Sequence, residues 1–527
     1  MEETLVQPKK TPISTYALLL LIFLIHLFIR SHHITALPLF VDESNHIRRA
    51  AVVYDFKQHP AVESHGKFLF YFVPGIFDLK QNDTAFFLSR MSVALSSLLT
   101  GAVVFVITRR LFNERAALIA AAFYALLPFA FFFERMALSD PWAGFISTVL
   151  VWQSIRFAAN PTYKRALWVG VFLALTPAAK LTMAFVAFMP LFAVALFSHY
   201  TSIKDMFVRY FPHGLRAVLV VIGLWSLVLV PAAIQYYQGV DYAIYDTWLV
   251  NTTTKADTFL GKLGDAWEKM VLLVSLPVTV LLLIQTPLGL YFKQSRKQIF
   301  LVLLWLALAW LTTFFLVGRN SFQSRYMTAG TPAIAVLFGA GIMILAETLI
   351  RQPKQAFYAA ASVVIIWSAL FSIPFAQKAS SDPTQLHMPW LDTQNYFEGS
   401  FTAYALLDAL EYVQDNGEPY EGTVQALLGT RFCIPSLYQF PDLHYDCDKA
   451  FDFANPARRS TIPFVLARLL REIPVYLIAE GDLPESRDNW LVRAEFMTRF
   501  DKPHGDGFVT VWRLLLPEAS STSGVLP

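Results

Sequence analysis

Charge is scarce in this sequence. Of 527 residues, 15% are charged while 55% are hydrophobic and 15% aromatic. A soluble domain carries about a quarter charged residues, so a fully water-facing surface is excluded. Cysteine is nearly absent: Cys433 and Cys447 are the only two. They allow one disulfide and leave no zinc-type cysteine spacing. No Walker loop or dinucleotide fingerprint occurs, and no internal repeat of about 20–50 residues. The net charge of +3 is too small to imply a nucleic-acid partner.

What the chain has instead is apolar runs of spanning length. The first, around Tyr16–Ile25, follows Lys9-Lys10 and lacks a clear small-x-small cleavage site, so it reads as an uncleaved helix rather than a removed signal. Further spans are predicted near 86–108, 115–133, 141–158, 166–179, 181–198, 214–234, 271–291, 299–317, 331–349 and 356–375. Two of them, 166–179 and 181–198, run together through Pro177, as one re-entrant unit or as two short helices. The fold expected is an α-helical polytopic membrane protein of about eleven transmembrane helices, residues 1–375, followed by a C-terminal extracytoplasmic α/β domain, residues 376–527.

Orientation follows from the basic loops. Lys9-Lys10, Arg109-Arg110, Lys164-Arg165, Lys204 with Arg209, Lys293 with Arg296-Lys297, and Arg351 with Lys354 fall on one side of such a bundle. By the positive-inside rule that side is cytoplasmic, and the tail lies outside. Within the tail, Phe401–Leu410 has helical periodicity ending near Asn416-Gly417, while Pro474–Ala479 and Phe508–Trp512 read as strands. A Cys433–Cys447 bridge is allowed outside the cell, and two free buried thiols are the alternative. Asp446-Cys447-Asp448 spells a nucleotide-sugar metal motif, but in an external tail it reads as a turn.

Several polar groups stand out against the apolar background. Asp42-Glu43 follows the first span, with His46 one helical turn on. Glu63–Lys67 precedes the Pro74-Gly75 break. Glu134–Asp140 joins two apolar helices, Lys180 interrupts an apolar run, and Arg325-Tyr326 precedes Pro332. Taken singly, each has a plainer reading. The Asp42 stretch suits a hydrophilic loop, His46 a solvated position, and Arg135 or Lys180 can snorkel to headgroups. Jointly, carboxylates and cations share one membrane face. A carboxylate can take the proton of an incoming hydroxyl while cations hold a phosphate leaving group. Guanidinium is the better clamp, because its fork matches phosphate oxygens.

On Asp42-Glu43, His65-Gly66-Lys67, Arg135-Met136-Ala137-Leu138-Ser139-Asp140 and Arg325-Tyr326 with Pro332, the chain resembles the GT-C membrane glycosyltransferases. The resemblance is to the protein O-mannosyltransferase and lipid A aminoarabinose transferase group, and it spans about residues 10–375. After Gly66-Lys67 the sequence departs from the family, with Phe68-Leu69-Phe70 where prolines are common. The resemblance implies a polyprenyl- or dolichyl-phosphate sugar as donor and membrane lipid as surroundings. It makes Asp42 the catalytic base and Glu43 the neighbour that orients the site. Arg135, Arg325, Lys67 and Lys180 then form the donor-phosphate set, and Asp140, His65 and Tyr326 line the same cavity. Members of the group differ in their need for a metal, so no cofactor is certain and a divalent metal is allowed.

The function expected is inverting transfer of a sugar from a polyprenyl-phosphate donor to an acceptor hydroxyl of protein, lipid or glycan, on the outer face. A transporter or flippase of lipid-linked substrates is the alternative, and it would need polar residues running through mid-membrane. A sensor whose tail binds a ligand is a third reading, in which Asp42, Arg135 and Arg325 carry no load.

Overall fold

The structure is a computed structural model that describes residues 12–55, 67, 69–79, 84–198, 202–239, 259–317, 321–419, 422–429, 443–446, 474–483 and 493–515. The helices are α1 (Ile13–Ser31), α2 (Val41–Val52), α3 (Ala85–Leu111), α4 (Glu114–Leu126), α5 (Pro128–Glu134), α6 (Ser139–Ala159), α7 (Tyr163–Ala179) and α8 (Met189–Phe197). They continue with α9 (Ile203–Tyr237), α10 (Phe259–Val274), α11 (Leu276–Tyr291), α12 (Arg296–Leu316), α13 (Thr331–Leu349), α14 (Pro353–Trp367), α15 (Ile373–Ser381) and α16 (Leu406–Asn416).

Every apolar segment marked in the sequence coincides with helical structure. Among the described residues, six helices are long and apolar enough to cross a membrane, or up to eight if each of two bent pairs is one span. The protein is therefore an integral membrane protein. Local chemistry sets the helix ends. Asn113 caps α4 by accepting from Ala116 N–H at 2.9 Å. Pro128 pushes Leu127 into an extended conformation, so α4 stops and α5 departs at 53°.

That break divides the predicted span 115–133, and three further sequence expectations change. The segment 271–291 is not one straight helix: Ser275 has φ 88° and Pro277 follows, so α10 and α11 meet at 113°. Trp367 Nε1 donates to the freed Val274 carbonyl and to Ser275 Oγ, both at 3.1 Å. The stretch after the first span, which suited a loop, folds as α2, and His46 is 2% exposed rather than solvated. The tail helix starts at Leu406, not Phe401, because Ala405 sits at φ 64°. Cys433, Cys447 and His65 lie outside the described residues.

The chain divides into two compact units: Met1–Leu37 with Arg49–Leu79 and Phe86–Leu391, and Pro38–Arg48 with Lys80–Ala85 and Asp392–Pro527. In the first, close helix contacts rely on small residues. A Cβ on Gly339 would lie 2.6 Å from Ala120 Cβ and 2.7 Å from Ala116 O, so α13 can lie against α4 only as glycine permits. Phe123 stacks on Phe338 at 4.1 Å beside this crossing.

The second unit holds a five-stranded mixed sheet of β1 (Val424–Gly429), β2 (Leu443–Asp446), β3 (Val475–Glu480), β4 (Arg493–Asp501) and β5 (Phe508–Leu515), in the order β2-β1-β3-β5-β4. β1 pairs in parallel with β2 and β3, while β5 is antiparallel to β3 and β4. Leu427, Leu477, Trp512 and Leu514 form its apolar core. Residues 39–41 and 401–403 also pair in this unit: Val41 N–H donates to Phe401 O at 2.9 Å and Ala403 N–H to Leu39 O at 3.0 Å.

Candidate active site

The first unit gathers most of the cations singled out in the sequence. α7 ends at Lys180, whose backbone turns extended three residues after Pro177. Its ammonium donates to the carboxylate of Asp140 in the first turn of α6, and both side chains are buried. The pairing suits the helix dipoles, with the cation at a C-terminus and the carboxylate at an N-terminus. Lys180 Nζ also lies 4.7 Å from the centre of the Tyr326 ring. On the same ring, Arg325 Cζ sits at 4.9 Å, and Arg325 Nη2 donates to the Tyr326 hydroxyl at 3.0 Å. Lys67 joins this neighbourhood through the backbone: Leu69 N–H donates to Ala178 O at 3.1 Å. The structure thus brings together Asp140, Lys180, Arg325 and Tyr326, while Lys67 lies two residues before the Leu69 that bonds to the end of α7.

Two lysines that the sequence reading passed over lie near the same segment. Lys262 and Lys269 are buried on α10. Lys262 Nζ donates to Phe314 O at 2.9 Å, and Lys269 Nζ sits 4.9 Å from the centre of the Phe322 ring, three residues before Arg325. The opposite side of α10 exposes Leu260, Leu263 and Trp267. In its first part this helix turns Lys262 and Lys269 inward and Leu260, Leu263 and Trp267 outward, the reverse of a surface helix in water.

Arg135 stands apart from the cluster around Tyr326. Its Nη1 donates to Ile29 O at 2.7 Å and Ser380 Oγ at 3.1 Å, and its Nη2 to His33 O at 2.8 Å and Ala379 O at 3.4 Å. These acceptors belong to the C-terminal ends of α1 and α15, where orphan carbonyls and the helix dipole attract a cation. Burial, with Arg90 and Arg30 nearby, pushes the Arg135 pKa down to about 10, so the group remains charged at neutral pH. The Arg135 guanidinium thus fastens the ends of α1 and α15.

Glu134 is likewise committed to the fold. Arg30 Nε donates to it at 2.6 Å, and the Tyr124 hydroxyl donates to its other oxygen. Arg30 Nη1 reaches Ala125 O at 2.8 Å, a carbonyl freed where α4 ends. Polar groups are not confined to span ends: His26 Nε2 and Ser97 Oγ meet at 2.8 Å, both buried within the bundle.

Asp42 and Glu43 belong to the second unit, at the start of α2. Glu43 is fully buried, and its carboxylate accepts the Phe40 N–H at 3.1 Å. A glutamate in the first turn reaching back to the residue before the helix is half of a capping box. Asp42, one residue earlier, is half-buried.

Residues 64–229 match the family described as dolichyl-phosphate-mannose-protein mannosyltransferase, a stretch containing Lys67, Arg135, Asp140 and Lys180. Among solved structures, ArnT from Cupriavidus metallidurans bound to undecaprenyl phosphate superposes with a TM-score of 0.57 at 12% identity, covering 97% of this chain and 99% of that one. The chain has the GT-C glycosyltransferase fold. ArnT in the apo state agrees, with a TM-score of 0.54 at 12% identity over 95% of this chain and 97% of that one. No curated protein sequence matches the chain.

Proposed function

We propose that this GT-C protein transfers a sugar from a polyprenyl-phosphate donor to an acceptor hydroxyl at the outer face of the membrane. The gathering of Lys180 and Arg325 on the Tyr326 ring, with Asp140 paired to Lys180, carries the proposal, set in a fold shared with a protein solved with undecaprenyl phosphate. Arg325 and Lys180, with Lys67, hold the donor phosphate, and Lys262 and Lys269 add positive charge beside the same segment. Asp140 fixes Lys180 and lines the cavity with Tyr326.

Asp42 acts as the base. It takes the acceptor's hydroxyl proton as the acceptor oxygen bonds to the anomeric carbon of the sugar. The bond from that carbon to phosphate oxygen breaks, and its electron pair leaves with the polyprenyl phosphate. A single displacement of this kind inverts the anomeric centre, as one base without a covalent enzyme intermediate requires. Glu43, spent on the helix cap, orients the stretch that carries Asp42. The N-terminus is cytoplasmic and the tail extracytoplasmic in this reading.

The test is to reconstitute the protein in liposomes with radiolabelled polyprenyl-phosphate sugars and follow the lipid product. Release of free polyprenyl phosphate is expected. Movement of intact donor between leaflets without bond cleavage would favour a flippase instead.

A further inference from the structure

The segment Ser324–Gly330, which carries Arg325 and Tyr326, is a 3₁₀ helix. Such segments have poorer hydrogen-bond geometry than α-helix and need outside support to hold one conformation. Here three consecutive carbonyls each accept a side-chain donor. Thr328 Oγ1 donates to Arg325 O at 2.6 Å, Thr313 Oγ1 to Tyr326 O at 3.1 Å, and Trp310 Nε1 to Met327 O at 2.8 Å. Thr313 and Trp310 lie three residues apart on α12, so one helix face supplies both external donors. Gly330 ends the segment. A Cβ there would lie 2.3 Å from Trp310 Nε1 and 2.9 Å from Leu306 Cδ1, so the indole reaches its carbonyl only because position 330 has no side chain.

We infer that Thr313 and Trp310 are positioning residues for the donor site: they fix the backbone of Arg325-Tyr326 so that both side chains face the donor phosphate. Neither residue touches the donor. The inference rests on the proposed role of Arg325, and it predicts that loss of a donor atom on α12 is felt as weaker phosphate binding.

The probe is undecaprenyl phosphate, titrated against the purified full-length protein in nanodiscs. Thr313→Val keeps the shape and removes the hydroxyl; Thr313→Ser keeps the hydroxyl. Thr313→Val is expected to weaken binding by roughly two- to ten-fold, the worth of one neutral hydrogen bond, in protein that is still folded at the assay temperature. Thr313→Ser should bind as wild type. In turnover, the donor KM should rise in Thr313→Val while the acceptor KM stays constant. If Thr313→Val does not fold, Trp310→Phe removes the other donor and is expected to give the same split. Wild-type affinity in the α12 variant, alongside weakened binding in Arg325→Gln, would overturn the inference and leave the donor reading standing. Wild-type affinity in both would overturn the two together.

Discussion

At the scale of single residues, two carboxylates and two arginines that look alike in sequence have different surroundings. Asp42 is half-buried while Glu43 is fully buried and capped onto Phe40 N–H. Asp42→Asn should therefore lower turnover by about 10²–10⁴-fold, the usual worth of a general base, with donor affinity little changed. Glu43→Gln should lower turnover less; an equal loss, measured in the same initial-rate assay, would mean the pair is assigned backwards. Arg325→Gln should weaken donor binding by roughly 1.5–3 kcal/mol, as for a hydrogen bond to a charged group. Arg135→Gln should instead lower thermal stability by about 3 kcal/mol, because carbonyls at two helix ends lose a buried charged donor, while the folded fraction binds donor normally. Equal donor loss in both variants would return Arg135 to the phosphate set. The sequence marked Asp140, Lys180, Arg325 and Tyr326 because charge interrupts apolar runs. Arg30 and Lys262 escaped notice: one hides at the end of a spanning helix, and the other sits in a segment of mixed polarity that resembles a loop.

At the scale of elements, apolar periodicity located helices well and their interruptions poorly. The break at Ser275 lies inside an unbroken apolar run, and only Pro277 hints at it. The start of α16 was misplaced because Ala405 takes a left-handed conformation that alanine seldom adopts, so no sequence signal precedes it. Close helix crossings were also invisible, since glycine in a membrane helix has several uses. At Gly339 the use is explicit: a side chain would meet both Ala120 and the Ala116 carbonyl. Gly339→Leu should destabilise the protein by about 1–3 kcal/mol through overpacking, read as a lower melting temperature in detergent. An unchanged melting temperature would mean that α13 and α4 can separate without loss.

At the scale of the whole molecule, the distribution of lysine and arginine predicts a cytoplasmic N-terminus and an extracytoplasmic tail. Protease added to intact cells should cut within residues 376–527, and protection there with cleavage in inverted vesicles would reverse the orientation. The presence of a bundle with a separate α/β sheet was legible in the charge distribution, which is sparse before Phe375 and ordinary after it. The grouping of the Asp42 stretch with the tail was not, because Pro38–Arg48 joins Asp392–Pro527 through backbone pairing that leaves no pattern in composition. In the proposed reaction a sugar leaves a polyprenyl phosphate by displacement with Asp42 as base. The most direct measurement loads wild type and Asp42→Asn with the same radiolabelled donor in liposomes, adds acceptor, and counts released polyprenyl phosphate over a single turnover. Release is expected from wild type, and donor that stays bound but intact on Asp42→Asn. Release at the wild-type rate from Asp42→Asn would contradict it.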